Sequence, residues 1–502
     1  MNRLLSACPS PGALGRASRV VACLVALAPA SGCWRVGASD GGGEGVKAKG
    51  ARGVRAEDVH LPAGYRLEAV ARGLTFPAGV AFDDAGEAYV VESGYSYGEK
   101  FTTPRLLRVA KGGGTSVVAT GDDGPWTGVA FAKGSFFVAQ GGVKGGGKVL
   151  RVEKDGKMRA LVEGLPSFGD HHTNGPAVGP DGMVYFGQGT ATNAGVVGED
   201  NAEYGWLPRR PDFHDVPCRD VALAGVNFET DNPLTPAPDD KAVTGAYVAF
   251  GTKTERGQIV KGALPCGGAV MKVSPEGGAP ELVAWGFRNP YGLAFSPAGR
   301  LFVTENGIDI RGSRPVFGAA DYLYEVEPGA WYGWPDFSGG APLTESRFTV
   351  PGKASHRFML DRHPGAPPKP RASFGVHSSS NGLDFSRSAA FGHVGEAFVA
   401  QFGDMVPKTG KVFGPVGFKV VRVDVANGVI TDFAVNAGEQ NGPASKLGHG
   451  GLERPIACRF DPTGEALYVV DFGVMTVGER GPEPKEGTGV LWRIRRAGGR
   501  AP

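Results

Sequence analysis

Along the chain, short apolar runs recur in pairs separated by Gly, Pro and Asp, and each pair keeps the same internal order. Pro77-Ala-Gly-Val-Ala-Phe82 leads into Glu87-Ala-Tyr-Val-Val91, Thr127-Gly-Val-Ala-Phe131 into Ser135-Phe-Phe-Val-Ala139, and Gly175-Pro-Ala-Val178 into Met183-Val-Tyr-Phe186. The pattern returns in Pro290-Tyr-Gly-Leu-Ala-Phe295 with Arg300-Leu-Phe-Val-Thr304, Asn381-Gly-Leu-Asp-Phe385 with Glu396-Ala-Phe-Val-Ala400, and Pro455-Ile-Ala-Cys-Arg-Phe460 with Ala466-Leu-Tyr-Val-Val470. Runs of this length, rich in Val and aromatics and bounded by turn residues, read as strands. A third run follows each pair: Leu106–Val109, Val149–Val152, Val270–Val273, Leu323–Val326, Val420–Val423 and Val490–Ile494. After the first five units comes a more polar fourth run, such as Thr115–Ala119, Arg159–Val162 or Glu281–Ala284, suited to an outer edge.

Four antiparallel strands per unit, repeated six times, predict an all-β chain folded as a six-bladed β-propeller over about residues 57–497, a design that leaves only short edges. The sixth unit ends at Ile494 without a fourth strand. Tyr65-Arg-Leu-Glu-Ala-Val70 has the character to supply it, closing the ring through the N-terminal strand. The spacing is uneven, with insertions at about 190–265 and 336–372 that belong on a face of the propeller, where loops build binding sites. Residues 498–502 are left as a tail.

Gly 82 and Pro 38 among 502 residues approach the proportion of disordered chains, but they fall regularly between the apolar runs and so mark turns. Lys+Arg 53 against Asp+Glu 51, with no basic stripe, argues against a nucleic-acid partner. Residues 1–33 read as an export signal. Arg16 and Arg19 precede Val20-Val-Ala-Cys-Leu-Val-Ala-Leu27, which is too short to anchor in a bilayer, and Ala30-Ser-Gly-Cys33 follows. The last four residues resemble a bacterial lipobox, which implies cleavage before Cys33, lipidation of its thiol and a place in the cell envelope, periplasmic or at the outer membrane. Residues 34–56, including Asp40-Gly-Gly-Gly-Glu-Gly45, read as a flexible tether. In an oxidising compartment Cys218 and Cys266, which flank the first insertion, are able to pair, and Cys458 in an apolar strand is expected as a buried thiol.

Candidate chemistry concentrates at the entrances to two repeats. Asp170 and His171 precede the third; a neutral imidazole is the usual general base near neutral pH, and a carboxylate beside it can orient it. His172 and Asn174 are weaker candidates. Arg288 precedes the fourth repeat and offers a fork to a carboxylate or oxyanion. Thr304-Glu-Asn-Gly-Ile-Asp309, followed by Asp321, has the carbonyls and carboxylates that suit a hard cation such as calcium.

Taken together, Asp170-His171 before a Gly-Pro-Asp-Gly turn, Phe287-Arg-Asn-Pro-Tyr-Gly-Leu-Ala-Phe295, Thr304-Glu-Asn-Gly307 and Gly329-Ala-Trp-Tyr-Gly-Trp-Pro335 resemble the soluble glucose dehydrogenase and sorbosone dehydrogenase family. Its members are six-bladed quinoproteins that use pyrroloquinoline quinone (PQQ) and Ca2+. The resemblance implies a quinoprotein sugar dehydrogenase acting on a sugar or related alcohol or aldehyde and passing electrons to an external acceptor. It assigns His171 as the base, Asp170 as its orienting group, Arg288 and Asn289 as contacts to the cofactor's reacting carbonyls, and Gly307, Ile308 and Asp321 as the calcium position. His377-Ser-Ser-Ser-Asn-Gly-Leu-Asp-Phe385 resembles a fifth-blade His-Ser segment of the sorbosone branch. Where that branch shows His-Gly-Ser-Trp-Asn-Arg, this chain has Phe402-Gly-Asp-Met-Val-Pro-Lys408, so the cations expected around the cofactor's carboxylates are missing or displaced. Lys408, Lys411 and Arg422 are the available substitutes. A calcium-dependent propeller lactonase or other hydrolase, and a non-catalytic lipoprotein that binds glycans or proteins, stay open as alternatives.

Overall fold

The computed structural model describes residues 40–46, 51–93, 95–96, 100–237, 239–478 and 481–498. The export signal and Cys33 lie outside them. Six antiparallel sheets of at least four strands follow one another along the chain, as the repeats predict. Their innermost strands are Pro77–Phe82, Trp126–Ala132, Thr173–Val178, Pro290–Phe295, Ser380–Phe385 and Pro455–Phe460, and each packs against the next in a closed ring. The sixth blade takes its outer strand from the N-terminal side: Tyr65–Leu74 pairs with Gly489–Arg496, with Leu67 opposite Ile494. The fifth blade gains an extra edge strand, Val59–His60, beside Val429–Asn436.

The repeated glycine in the innermost strands has a steric cause. Neighbouring strands converge so closely on the axis that a Cβ on Gly128 would lie 1.9 Å from the Gly175 carbonyl oxygen, and one on Gly292 would lie 2.3 Å from that of Asn381. Away from the axis the blades diverge, and larger side chains fill the widening wedge between them. Tyr89 meets Phe136 at 4.4 Å between ring centroids, Tyr185 meets Phe295 at 5.1 Å, Phe302 meets Phe385 at 5.0 Å, and Phe82 meets Tyr468 at 4.8 Å. Each pair joins consecutive blades, and each fully buried ring contributes about 1.5–3 kcal/mol.

The first insertion carries two two-stranded sheets, Val221–Ala224 with Arg256–Val260 and, between them in sequence, the hairpin Asn227–Asp231 with Lys241–Gly245, and two short helices, α1 (Glu199–Glu203) and α2 (Trp206–Arg209). Cys218 and Cys266 are joined by a disulfide that closes this insertion at its base, and Cys458 is a buried free thiol.

The stretch expected as a flexible tether is bound to the propeller wherever it is described. Gly42 donates its N–H to both carboxylate oxygens of Asp404, at 2.9 and 3.1 Å. Arg52 is buried in an ion pair with Asp471 at 2.5 Å. The Gly-rich composition that suggests flexibility here serves close packing instead: a Cβ on Gly42 would lie 2.0 Å from the Phe418 ring.

Candidate functional site

Two adjoining cavities occupy one end of the central channel. The inner one, about 630 Å³, takes one residue from the same repeat position in every blade: Ala78, Thr127, Asn174, Tyr291, Asn381 and Ile456. The outer one, about 700 Å³, is walled by the entrances to blades 3 to 5 and roofed by the first insertion. Asp170, His171, Asn289 and Ser379 line both.

His171 sits between them, buried, with Nδ1 3.0 Å from the Thr190 carbonyl oxygen. A carbonyl can only accept, so Nδ1 carries the proton and Nε2 the lone pair. Nε2 has no partner among the described residues. Burial, followed by the nearby Arg288 and Arg311 guanidiniums, pushes the His171 pKa well below the ordinary histidine value. The imidazole is therefore neutral, with an available base nitrogen. His172 is only half-buried, yet the packing around its ring lowers its pKa to about 4.

Asp170 lies beside His171 in sequence but does not orient it. Its carboxylate accepts from Asn201 Nδ2 at 3.0 Å and pairs with Arg311 at 2.7 Å, and the Thr190 carbonyl performs the orienting role expected of it. Arg311 also pairs with Asp200 at 2.6 Å and Asp309 at 3.1 Å, so one largely buried guanidinium serves three carboxylates. Asp309 takes a second cation, Arg288, at 2.7 Å. Burial pushes Asp309 up, but Arg288, His377 and Arg311 outweigh it and hold the carboxyl well below the usual range. Asp200 goes the other way: burial, then repulsion from Asp170, raise it to about 6 despite Arg311.

Asn289 belongs to a chain of amides. Asn174 Nδ2 donates to Asn289 Oδ1 at 2.8 Å, Asn289 Nδ2 to Asn306 Oδ1 at 2.8 Å, and Asn306 Nδ2 to the Ser380 carbonyl at 3.1 Å. The chain ties blades 3, 4 and 5 together across the channel mouth. Gly307 reaches the cavity because its Cα passes close to the Ala320 carbonyl, where a Cβ would lie 2.3 Å away. Asp321 accepts from Gly307 N at 2.8 Å, Ser378 Oγ at 2.9 Å and Ser380 N at 2.8 Å, which fixes that loop.

Lys408 is placed elsewhere than the cofactor-facing position expected of it. Its Nζ meets the exposed Glu203 carboxylate of α1 at 3.0 Å. Arg422 pairs with Glu396 at 2.6 Å in the body of blade 5. His377 does line the outer cavity, with Nδ1 3.5 Å from Asp309, a backbone φ of 63°, and a buried Nε2 that has no hydrogen-bond partner. Thr409 Oγ1, at the same cavity, is likewise buried and unpartnered. Two such atoms facing one cavity fit a polar, multiply hydrogen-bonding ligand, since leaving them bare costs about 1–3 kcal/mol each. Among the described residues no three His, Cys, Asp or Glu side chains are grouped to hold a metal, so a cation here depends on carbonyl oxygens.

Residues 249–366 match the model of the Glucose / Sorbosone dehydrogenase family. That segment carries Arg288, Asn289, Gly307, Ile308 and Asp321, so the resemblance read from their motifs stands. Quinoprotein glucose dehydrogenase B of Acinetobacter calcoaceticus is 25% identical over 181 residues, which are 36% of this chain and 29% of that protein. In fold, the chain is similar to the holo PQQ domain of pyranose dehydrogenase from Coprinopsis cinerea (TM-score 0.51, 16% identity, covering 90% of this chain and 100% of that one). A Trichoderma reesei protein of Carbohydrate-Active Enzymes Family AA12 gives TM-score 0.51 at 15% identity, covering 89% of this chain and 100% of that one.

Sequence reasoning missed Arg311, Asp200 and the two aromatic side chains of the roof, Tyr204 and Trp206; Asn306 and Asp309 fall in the segment expected to suit a cation, but the structure places Asn306 in the amide chain and Asp309 between two arginines. A signal was present for the amides: Asn174 and Asn381 occupy the same repeat position, one residue before the axial glycine of each strand. For Arg311 the only hint is its distance of two residues from Asp309.

Proposed function

We propose that this chain is an exported PQQ- and calcium-dependent dehydrogenase that oxidises a sugar or related alcohol with His171 as the base. The observation that carries the reading is the neutral, buried His171, whose free Nε2 lies between the two cavities while Arg288, Asn289 and the Gly307 loop line the outer one with it. PQQ with calcium supplies two-electron acceptance of a hydride, polarised by the cation. Arg288, Asn289, His377 and Thr409 would hold the organic group, and the carbonyls of Gly307 and Ile308 the cation. No hydrogen bond is made to either carbonyl among the described residues. Asp321 would brace that loop through the Gly307 N–H. His171 Nε2 takes the proton from the substrate hydroxyl, and its position in a largely water-excluded cavity keeps that nitrogen unprotonated at the start.

The cell-envelope location and the lipid on Cys33 belong to this reading on the strength of the N-terminal sequence. So does an external electron acceptor. The direct experiment adds PQQ and Ca2+ to the purified chain and follows dye reduction with a panel of aldoses. Absence of both quinone absorbance and dye reduction would sink the proposal, whereas turnover of a lactone without quinone would favour the hydrolase alternative. Replacing His171 by Gln is expected to lower kcat/KM about a hundred- to ten-thousandfold while quinone absorbance is retained. In the parent protein, kcat/KM is expected to show no protonic inflection near the ordinary histidine value of 6.5, because the free imidazole titrates well below it.

A further inference from the structure

The roof of the outer cavity is an arch whose two feet stand on different blades. At one foot, Asn201 of α1 donates to Asp170 at 3.0 Å and Asp200 pairs with Arg311 at 2.6 Å. At the other, Glu203 meets Lys408 at 3.0 Å, and the Lys408 segment is tied back to blade 4 by Ile310 N donating to the Thr409 carbonyl at 3.0 Å. Beneath the arch Tyr204 and Trp206 line the cavity with His171. Trp206 is seated in a small apolar cluster of the insertion with Val197, Leu207 and Phe213, and Tyr204 lies against the Arg311 guanidinium at 5.4 Å from its ring centroid. Both rings are thus fixed by packing. Tyr204 Oη and Trp206 Nε1 have no hydrogen-bond partner among the described residues. Two held aromatic rings with free polar tips present an apolar wall with one O–H and one N–H, the combination that suits a ring with C–H groups on one face and hydroxyls at its edge.

We propose that Tyr204 and Trp206 are the specificity-determining wall for a single sugar ring, and that the arch from Asp170 to Lys408 excludes longer saccharides. The inference rests on the sugar dehydrogenase reading for the class of ligand. It assigns a role to the α1–α2 part of the insertion, residues 199–209, which lies outside both the strand repeats and the matched family segment. Lys408 acts here as a latch: releasing Glu203 frees the outer foot of the arch and admits a chain end.

Calorimetric titration of D-glucose, D-galactose and maltotriose into the full chain, with and without PQQ and Ca2+, tests the proposal without requiring turnover. At least one monosaccharide is expected to bind and maltotriose to bind at least about tenfold more weakly. Trp206→Ala should weaken the monosaccharide at least about tenfold and leave quinone absorbance on loading unchanged. Tyr204→Phe, which keeps the packed ring, should weaken it about fivefold. Lys408→Met should narrow the gap between maltotriose and monosaccharide. Equal binding of maltotriose and glucose by the parent chain, or unaltered monosaccharide binding in both aromatic variants, would overturn the proposal. Sugar binding that follows these expectations in a chain that takes up no quinone would leave this wall standing and remove the dehydrogenase reading instead.

Discussion

The cavity has two walls of opposite construction. The wall from blades 3 and 4 is a closed charge network, in which the largely buried Arg288 and Arg311 share Asp170, Asp200 and Asp309. The wall from blade 5, residues 402–409, directs its charged side chains away from the cavity: Asp404 holds Gly42 of the N-terminal segment, and Lys408 holds Glu203 of the roof. The first wall fixes Arg288 and the loop that carries His171, and the second fixes the parts of the chain that enclose them. The departure at Phe402–Lys408 therefore does not empty the site of cations. The cations that remain are on the opposite wall, with a carboxylate already beside each.

This contrast can be broken most forcefully at Arg311. Replacing it by Met leaves Asp170 and Asp200 without a cation and Asp309 with Arg288 alone, and about 3–5 kcal/mol should be lost in denaturant unfolding, together with the order of the cavity. A loss below about 1 kcal/mol would show that the network is not a unit. Asp215, just behind this wall, tests the electrostatics separately. It accepts from Ala191 N at 2.7 Å and from Thr192 N at 3.2 Å, and burial raises it from 3.8 to about 6. A folded-state pKa above the unfolded one stabilises the fold below pH 3.8, and that contribution is lost as pH rises through about 6. Melting temperatures recorded from pH 4 to 8 should accordingly fall less steeply across that window in Asp215→Asn, the full effect being on the order of 3 kcal/mol. On the other wall, Gly42→Ala forces a methyl into the Phe418 ring, and about 1–3 kcal/mol is expected from equilibrium unfolding. Lys408→Met should cost less than about 1 kcal/mol by the same measurement, since its partner Glu203 is exposed.

The blades were legible because each strand buries a face against its neighbours, which imposes the recurring apolar run and the axial glycine. Tyr65–Val70 was legible as the closing strand by the same logic, since an unfilled edge position in blade 6 demands a partner. His171 and Arg288 could be found because they stand at repeat entrances, where the ring geometry gathers them. The network around them could not, because Asp200 comes from an insertion with no repeat to set its register, and Arg311 is indistinguishable in sequence from any loop arginine. The docking of residues 40–46 was hidden for a different reason. Glycine signals flexibility when free and close approach when packed, and the sequence is the same in either case.

The pairing of Tyr65–Leu74 with Gly489–Arg496 also bears on time. Ring closure joins strands more than 400 residues apart, whereas most other strand pairs are local hairpins. Five blades are able to assemble as their residues become available, but the sixth lacks its outer strand pair until residue 496 has been made. Such a distant contact slows folding and comes late. Until then the first and last innermost strands keep unsealed flanks, so the inner cavity, which draws on all six blades, acquires its shape only in the final step.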